Sequence, residues 1–74
     1  MDVFDAAVRA YMAERPILRI GQASYIALEQ NRYGWVWDIQ GTDLDPFYVD
    51  ANLPAFRVWL ADKFEAEYAQ QETP

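Results

Sequence analysis

Two stretches of the chain carry hydrophobic positions with a helical period. Phe4, Ala7, Val8, Tyr11 and Met12 recur at i, i+3, i+4, i+7 and i+8, the stripe of an amphipathic helix. Asp2 is placed to cap its start, and Asp5 puts negative charge in the first turn, where the helix dipole favours it. Pro16 disfavours helical geometry at Arg15, which ends the helix near Glu14. At the far end Leu53, Phe56, Leu60, Phe64 and Tyr68 form a second stripe. It is expected to start after a cap at Asp50 or Asn52, to tolerate Pro54 in its first turn and to reach about Gln70. Residues 71–74 are then a frayed tail.

The middle is ambiguous. Tyr33, Trp35, Trp37 and Ile39 alternate with Gly34, Val36 and Asp38, and an aromatic-rich period of two is a strand signature. Residues 17–20 (Ile-Leu-Arg-Ile) would be the partner strand, giving a helix–β-hairpin–helix α+β domain. Against this, residues 21–31 show no alternation. Ile20, Ala23, Ala27, Leu28 and Asn31 instead share one helical face whose small residues permit close helix approach. Periodicity alone leaves residues 33–40 open between helix and strand. Residues 41–48 are punctuation: Gly41 suits a left-handed helix terminator. Asp45-Pro46 reads as a cap with proline at the first helical position, predicting a short helical turn over Pro46–Val49.

The stretch from Arg19 to Asp50 resembles a group of short uncharacterised bacterial and phage proteins. These pair an R-x-G-Q-A helix start with a G-T-D-L-D-P-F-Y-x-D segment ahead of a final helix. Arg19, Gly21, Gln22 and Ala23 match the first element, and Gly41 to Tyr48 with Asp50 match the second. The resemblance implies no activity. It implies a helix before the glycine, with Trp35 and Ile39 at its apolar positions, although Tyr33-Gly34-Trp35-Val36-Trp37 departs from the pattern. The expected fold is therefore all-α. It is a single domain over residues 1–70, with three main helices and a short helical turn at roughly 2–14, 21–31, 34–40 and 52–70; the helix–hairpin–helix form is the alternative. On a helix Trp35 and Trp37 point roughly 200° apart, so one of them is expected at the surface.

Composition narrows the chemistry. At 74 residues and 8.6 kDa the chain holds one small domain, in which roughly 60–65% of the unfolded surface is buried. Its 53% hydrophobic and 16% aromatic content exclude disorder for most of the chain, despite a net charge of −6. With no Cys and no His there are no disulfides, no thiolate or imidazole metal sites and no His-based relay. Ser24 and Lys63, each the sole residue of its kind, have no histidine to activate them, and no phosphate-binding loop is present. The expectation is neither an enzyme nor a cofactor carrier. The acidic N-terminus is unlike a secretory leader and no apolar run nears the ~18 residues of a membrane span, so a cytoplasmic placement without a membrane partner is expected.

Charge and aromatics remain. Residues 1–40 carry four Arg against five acids, net −1, whereas residues 41–74 carry Arg57 and Lys63 against seven acids, net −5. That asymmetry steers basic partners and opposes direct nucleic-acid binding, including a helix-turn-helix role for residues 20–40. Arg19 and Arg32 are expected at helix ends. Asp43, Asp45 and Asp50 with Thr42 could hold a hard cation, but the pattern lacks the central glycine and closing Glu of a calcium loop. Capping is the stronger reading, so no metal site is assigned. Trp59 lies about 120° off the last helix's stripe and reads as an interface anchor. Asp43, Asp50, Asp62 and Glu65 would surround it, with Trp35 and Trp37 as the second candidate surface. The functional expectation is a small acidic protein-binding module, an adaptor or inhibitor encoded by a phage or mobile element. An acidic nucleic-acid mimic and a self-associating structural protein are the alternatives.

Overall fold

In the computed structural model, which describes residues 1–71, the first stripe forms helix α1 (Asp2–Glu14). Phe4 and Val8 are buried, with Ala7, Tyr11 and Met12 packed against the same core. Asp2 is not the cap. Met1 takes that position without a side-chain bond, and its carbonyl accepts the Asp5 N–H at 2.8 Å. Arg15, at φ −131° ahead of Pro16, ends the helix as the proline requires.

Helix α2 (Ile20–Asn31) buries Gly21, Ala23, Ser24, Ala27 and Leu28. This face of small side chains lets α1 and α2 lie close together. The buried stripe is rotated from the one read in the sequence: Ile20 and Asn31 are exposed. Both sit at helix ends; Gly21 takes an inward position where the loop at Pro46 and Asp50 approaches it, and Ser24 is buried as well. Arg19 and Arg32 do flank the helix, as its N-cap and C-cap.

Residues 33–39 are helical, and Gln40 ends the segment. A 3₁₀ turn at Tyr33–Trp35 runs into α3 (Val36–Ile39), and no strand occurs among the described residues. Val36 and Ile39, three apart, are buried, and Trp35 is half-buried against Phe64 and Trp59. Trp37 and Tyr33 point outward at 63% and 59% exposure. The hairpin alternative is thereby overturned: the aromatic alternation that suggested it also contains the i, i+3 pair that seats a helix.

Helix α4 (Leu53–Gln71) completes the all-α domain, entered through a 3₁₀ turn at Asp50–Asn52. That turn, not Pro46–Val49, is the short helical piece of the loop. Phe56 and Leu60 are fully buried, while Tyr68, assigned to the stripe, is largely exposed. Phe4 sits between Phe56 and Phe64, with ring centroids 6.2 and 6.3 Å away. Gln71 is the last residue of α4; the tail expected over residues 71–74 otherwise lies outside the described residues.

Two arginine–carboxylate pairs, with a longer Lys63–Asp38 pair at 3.9 Å, fasten α4 to the rest of the domain. Arg57 bonds Asp5 at 2.7 and 3.2 Å, and Arg32 bonds Glu67 at 2.9 and 2.6 Å. Hydrogen bonding from Arg57 holds the Asp5 carboxyl below its ordinary value, and Arg32 does the same for Glu67. A carboxyl whose folded pKa is depressed contributes stability above its unfolded pKa and loses it as pH falls through the folded one. The melting temperature is therefore expected to fall on acidification below the ordinary carboxyl values of 3.8 and 4.5. In thermal melts between neutral and strongly acid pH, Asp5→Asn and Glu67→Gln should each show a smaller acid loss than the wild type.

Candidate functional site

Two segments far apart in sequence meet in one joint. The loop after α3 turns at Gly41, whose φ of +76° is the left-handed conformation that favours glycine. Asp45 then gathers the loop. Its Oδ2 accepts the Gly41 N–H and its Oδ1 accepts the Phe47 N–H, both at 2.9 Å. The Asp45 carbonyl accepts the Asn52 side-chain amide at 3.0 Å. Thr42 donates its hydroxyl to the Ile39 carbonyl at 2.7 Å and accepts the Leu44 N–H at 3.2 Å. Asp45 is thus a loop clasp rather than a helix cap, and it is buried.

The start of α2 fits against this loop. A Cβ on Gly21 would collide with the Pro46 carbonyl and with Asp50 Oδ1, so only glycine allows the contact. The Gly21 N–H donates to Asp50 Oδ1 at 3.2 Å. Arg19 donates to the Phe47 carbonyl at 2.6 Å and lies 3.6 Å from Asp50. Gln22 accepts the Arg19 N–H at 3.1 Å, the return half of a capping box; a guanidinium has no acceptor to supply the other half. The two elements quoted for the resemblance therefore hold each other. Pro46 is the fully buried plug of the joint; Phe47 beside it is half-buried and Tyr48 is 78% exposed.

The residues singled out for binding lie on the Trp35–Trp37 segment, on the loop and its turn into α4, and on α4 itself. Trp59 is half-buried, its ring 6.3 Å from Trp35 and 6.1 Å from Phe56. Asp62 and Glu65 are exposed on α4 and Asp43 on the loop. Asp50, its side chain partly exposed, accepts the Gly21 N–H and lies beside Arg19 in the joint. Trp35 is half-buried beneath Lys63, whose Nζ lies 5.0 Å from the ring centre. Trp37 alone of the three tryptophans stands fully out, with Tyr33 edge-on to it at 5.9 Å and 88°. Tyr33 was not singled out in the sequence; once the segment is helical, its i, i+4 spacing from Trp37 is the signal.

Two surface grooves flank these features. The larger, about 620 Å³, lies where the start of α1 meets the ends of α2 and α4, over Phe4 and Phe64. Its charged lining is the Arg32–Glu67 pair, already satisfied internally, together with Asp2. The smaller, about 360 Å³, lies between α2 and the joint, among Tyr25, Glu29, Asp45, Phe47 and Tyr48. Among the described residues no group of three acidic side chains is arranged to hold a metal ion. No described helix is long and apolar enough to cross a membrane.

Fold and site together define a small all-α domain built around a loop joint, with aromatic side chains on its outer surface. Comparison with protein-family models, with curated proteins and with solved structures finds no match for the chain.

The joint makes its own demands on mutation. Asp45→Ala strips the acceptor from two backbone N–H groups and should cost about 2–4 kcal/mol in urea denaturation. Asp43→Ala, at an exposed carboxylate, should stay within about 0.5 kcal/mol of wild type. Gly21→Ala forces backbone apart and should cost about 1–3 kcal/mol. Gly34→Ala meets nothing within 4 Å and should be neutral to about 1 kcal/mol more stable.

Proposed function

We propose that this chain is a small acidic protein-binding module that docks onto a basic surface of another protein, with Trp37 and Tyr33 as its anchor. The carrying observation is the placement of those two rings. Val36 and Ile39 of the same short segment fill the core, which holds the segment in place while Trp37 and Tyr33 lie outside it in mutual contact. A preorganised Trp–Tyr pair is the kind of feature that dominates binding energy, because two rigid rings lose little conformational freedom when covered.

Electrostatics supports a basic partner. Among the described residues Arg19, Arg32, Arg57 and Lys63 are each paired with an acid, which leaves Arg9 and Arg15 outside ion pairs. Asp2, Glu14, Glu29, Asp43, Asp62 and Glu65 have no such partner. The unpaired charge is strongly negative, which speeds encounter with a basic surface. A role as adaptor or inhibitor of a host protein in the cytoplasm is part of the same proposal.

The test is paired affinity capture from host lysate with the wild type and Trp37→Ala, followed by surface plasmon resonance on the captured protein. Truncating the anchor should cost about 2 kcal/mol or more, seen mainly as faster dissociation at unchanged melting temperature. Equal binding by Trp37→Ala would exclude the anchor. Binding lost only in Asp62→Asn and Glu65→Gln would point to an acidic nucleic-acid mimic, and light scattering at twice the monomer mass to self-association.

A further inference from the structure

The smaller groove has a composition that the larger one lacks. Tyr25, Phe47 and Tyr48 line it together with the carboxylates of Glu29 and Asp45 and the amide of Gln40, and no Lys or Arg takes part. The rings stand as steep walls: Tyr25 meets Phe47 at 5.4 Å and 72°, and Phe47 meets Tyr48 at 4.7 Å and 72°. Glu29 is half-buried on α2 with neither a hydrogen-bond nor an ion-pair partner among the described residues. Asp45 is fixed in place by the two backbone N–H groups it accepts.

The protein fills a similar arrangement elsewhere with its own cation. The Arg32 guanidinium lies 5.6 Å from the ring centres of both Trp35 and Phe64 while bonded to the Glu67 carboxylate. The smaller groove repeats the rings and the carboxylate without the cation. Arg19, which reaches the same loop, is held by the Phe47 and Tyr48 carbonyls and Asp50 and does not line the groove. The Tyr25 phenol senses the local field: burial first, then the charges of Asp45 and Glu29, push its pKa above the ordinary value.

We propose that this groove receives one cationic side chain, a lysine or an arginine, from the basic protein partner. The inference rests on the protein-binding reading and names what one part of that surface recognises. Aromatic faces attract a cation through their quadrupole, and a partly desolvated carboxylate adds a direct ion pair. A volume of about 360 Å³ suits a single side chain rather than a docked helix.

The experiment uses the full chain and small probes, so it needs no identified partner. Aromatic proton–carbon NMR spectra are recorded during titration with N-butylguanidinium and with its neutral isostere N-butylurea, at matched ionic strength. The expected result is saturable shifts at Tyr25, Phe47 and Tyr48 with the cation, and at least about fivefold weaker binding of the urea. Glu29→Gln, its fold checked by its amide spectrum, should weaken cation binding at least about threefold. Equal binding of both probes in the wild type would make the groove a plain apolar slot and overturn the proposal. So would shifts confined to Tyr33 and Trp37, or an affinity untouched by Glu29→Gln. Each of these leaves the capture experiment with Trp37→Ala to be decided by its own outcome.

Discussion

The Asp45 carboxylate is the constraint on which the arrangement of the helices depends. Residues 40–49 form a non-helical link between α3 and the turn into α4, and a link of that length inside so small a domain needs internal bonding. Asp45 supplies it by tying Gly41 on one side to Phe47 on the other, so the chain reverses in a defined way. Pro46, buried beside it, then meets α2 at the one residue without a Cβ. Direction follows from that contact. With the loop fixed against Gly21, α4 leaves at the angle that brings Phe56 and Phe64 onto Phe4.

The helices divide the packing between two modes. α1 and α2 pack together beside a face of α2 that buries Ala23, Ser24 and Ala27, while Gly21 of the same helix meets the loop. α4 stands off and is joined through large rings and two arginine–carboxylate pairs. Such pairs at half-exposed sites contribute little to stability one by one. Their effect on the surface is larger, since they remove basic groups from it. The aromatic supply that fills the wide α4 contact also exceeds what a chain of this size can cover, and Trp37, Tyr33, Tyr48 and Tyr68 are the rings left outside.

How far the sequence could be read depended on how many residues each feature needs. The two terminal stripes were legible because each is decided within its own helix; Phe4–Val8 and Phe56–Leu60 fall where the period puts them. The Trp segment was not, because Trp35 and Trp37 satisfy a strand's alternation while Val36 and Ile39 satisfy a helix, and the choice is made by Phe64 and Trp59 from another element. Asp45 was legible as a residue that binds backbone N–H groups but not in its partners, since an Asx side chain caps a loop or a helix with the same chemistry. The groove was invisible for a further reason. Tyr25 and Glu29 lie on the outer edge of an ordinary helix, and they acquire meaning only when Phe47 and Tyr48 are brought beside them by the joint.

The joint and the surface are therefore one design rather than two. Asp45 is shared between them: its oxygens hold the loop, and its charge lies in the wall of the groove. A carboxylate fixed by backbone donors keeps its orientation with or without a ligand, so the negative field beside Tyr25 needs no reorganisation when a cation arrives. Glu29 is free of such bonds and supplies the adaptable half of the same wall. Phe47 belongs to both sets as well, since its N–H and carbonyl are held by Asp45 and Arg19 while its ring meets Tyr25 and Tyr48. Whatever loosens the joint must then also splay the rings, which ties recognition at this face to the stability of the loop beneath it.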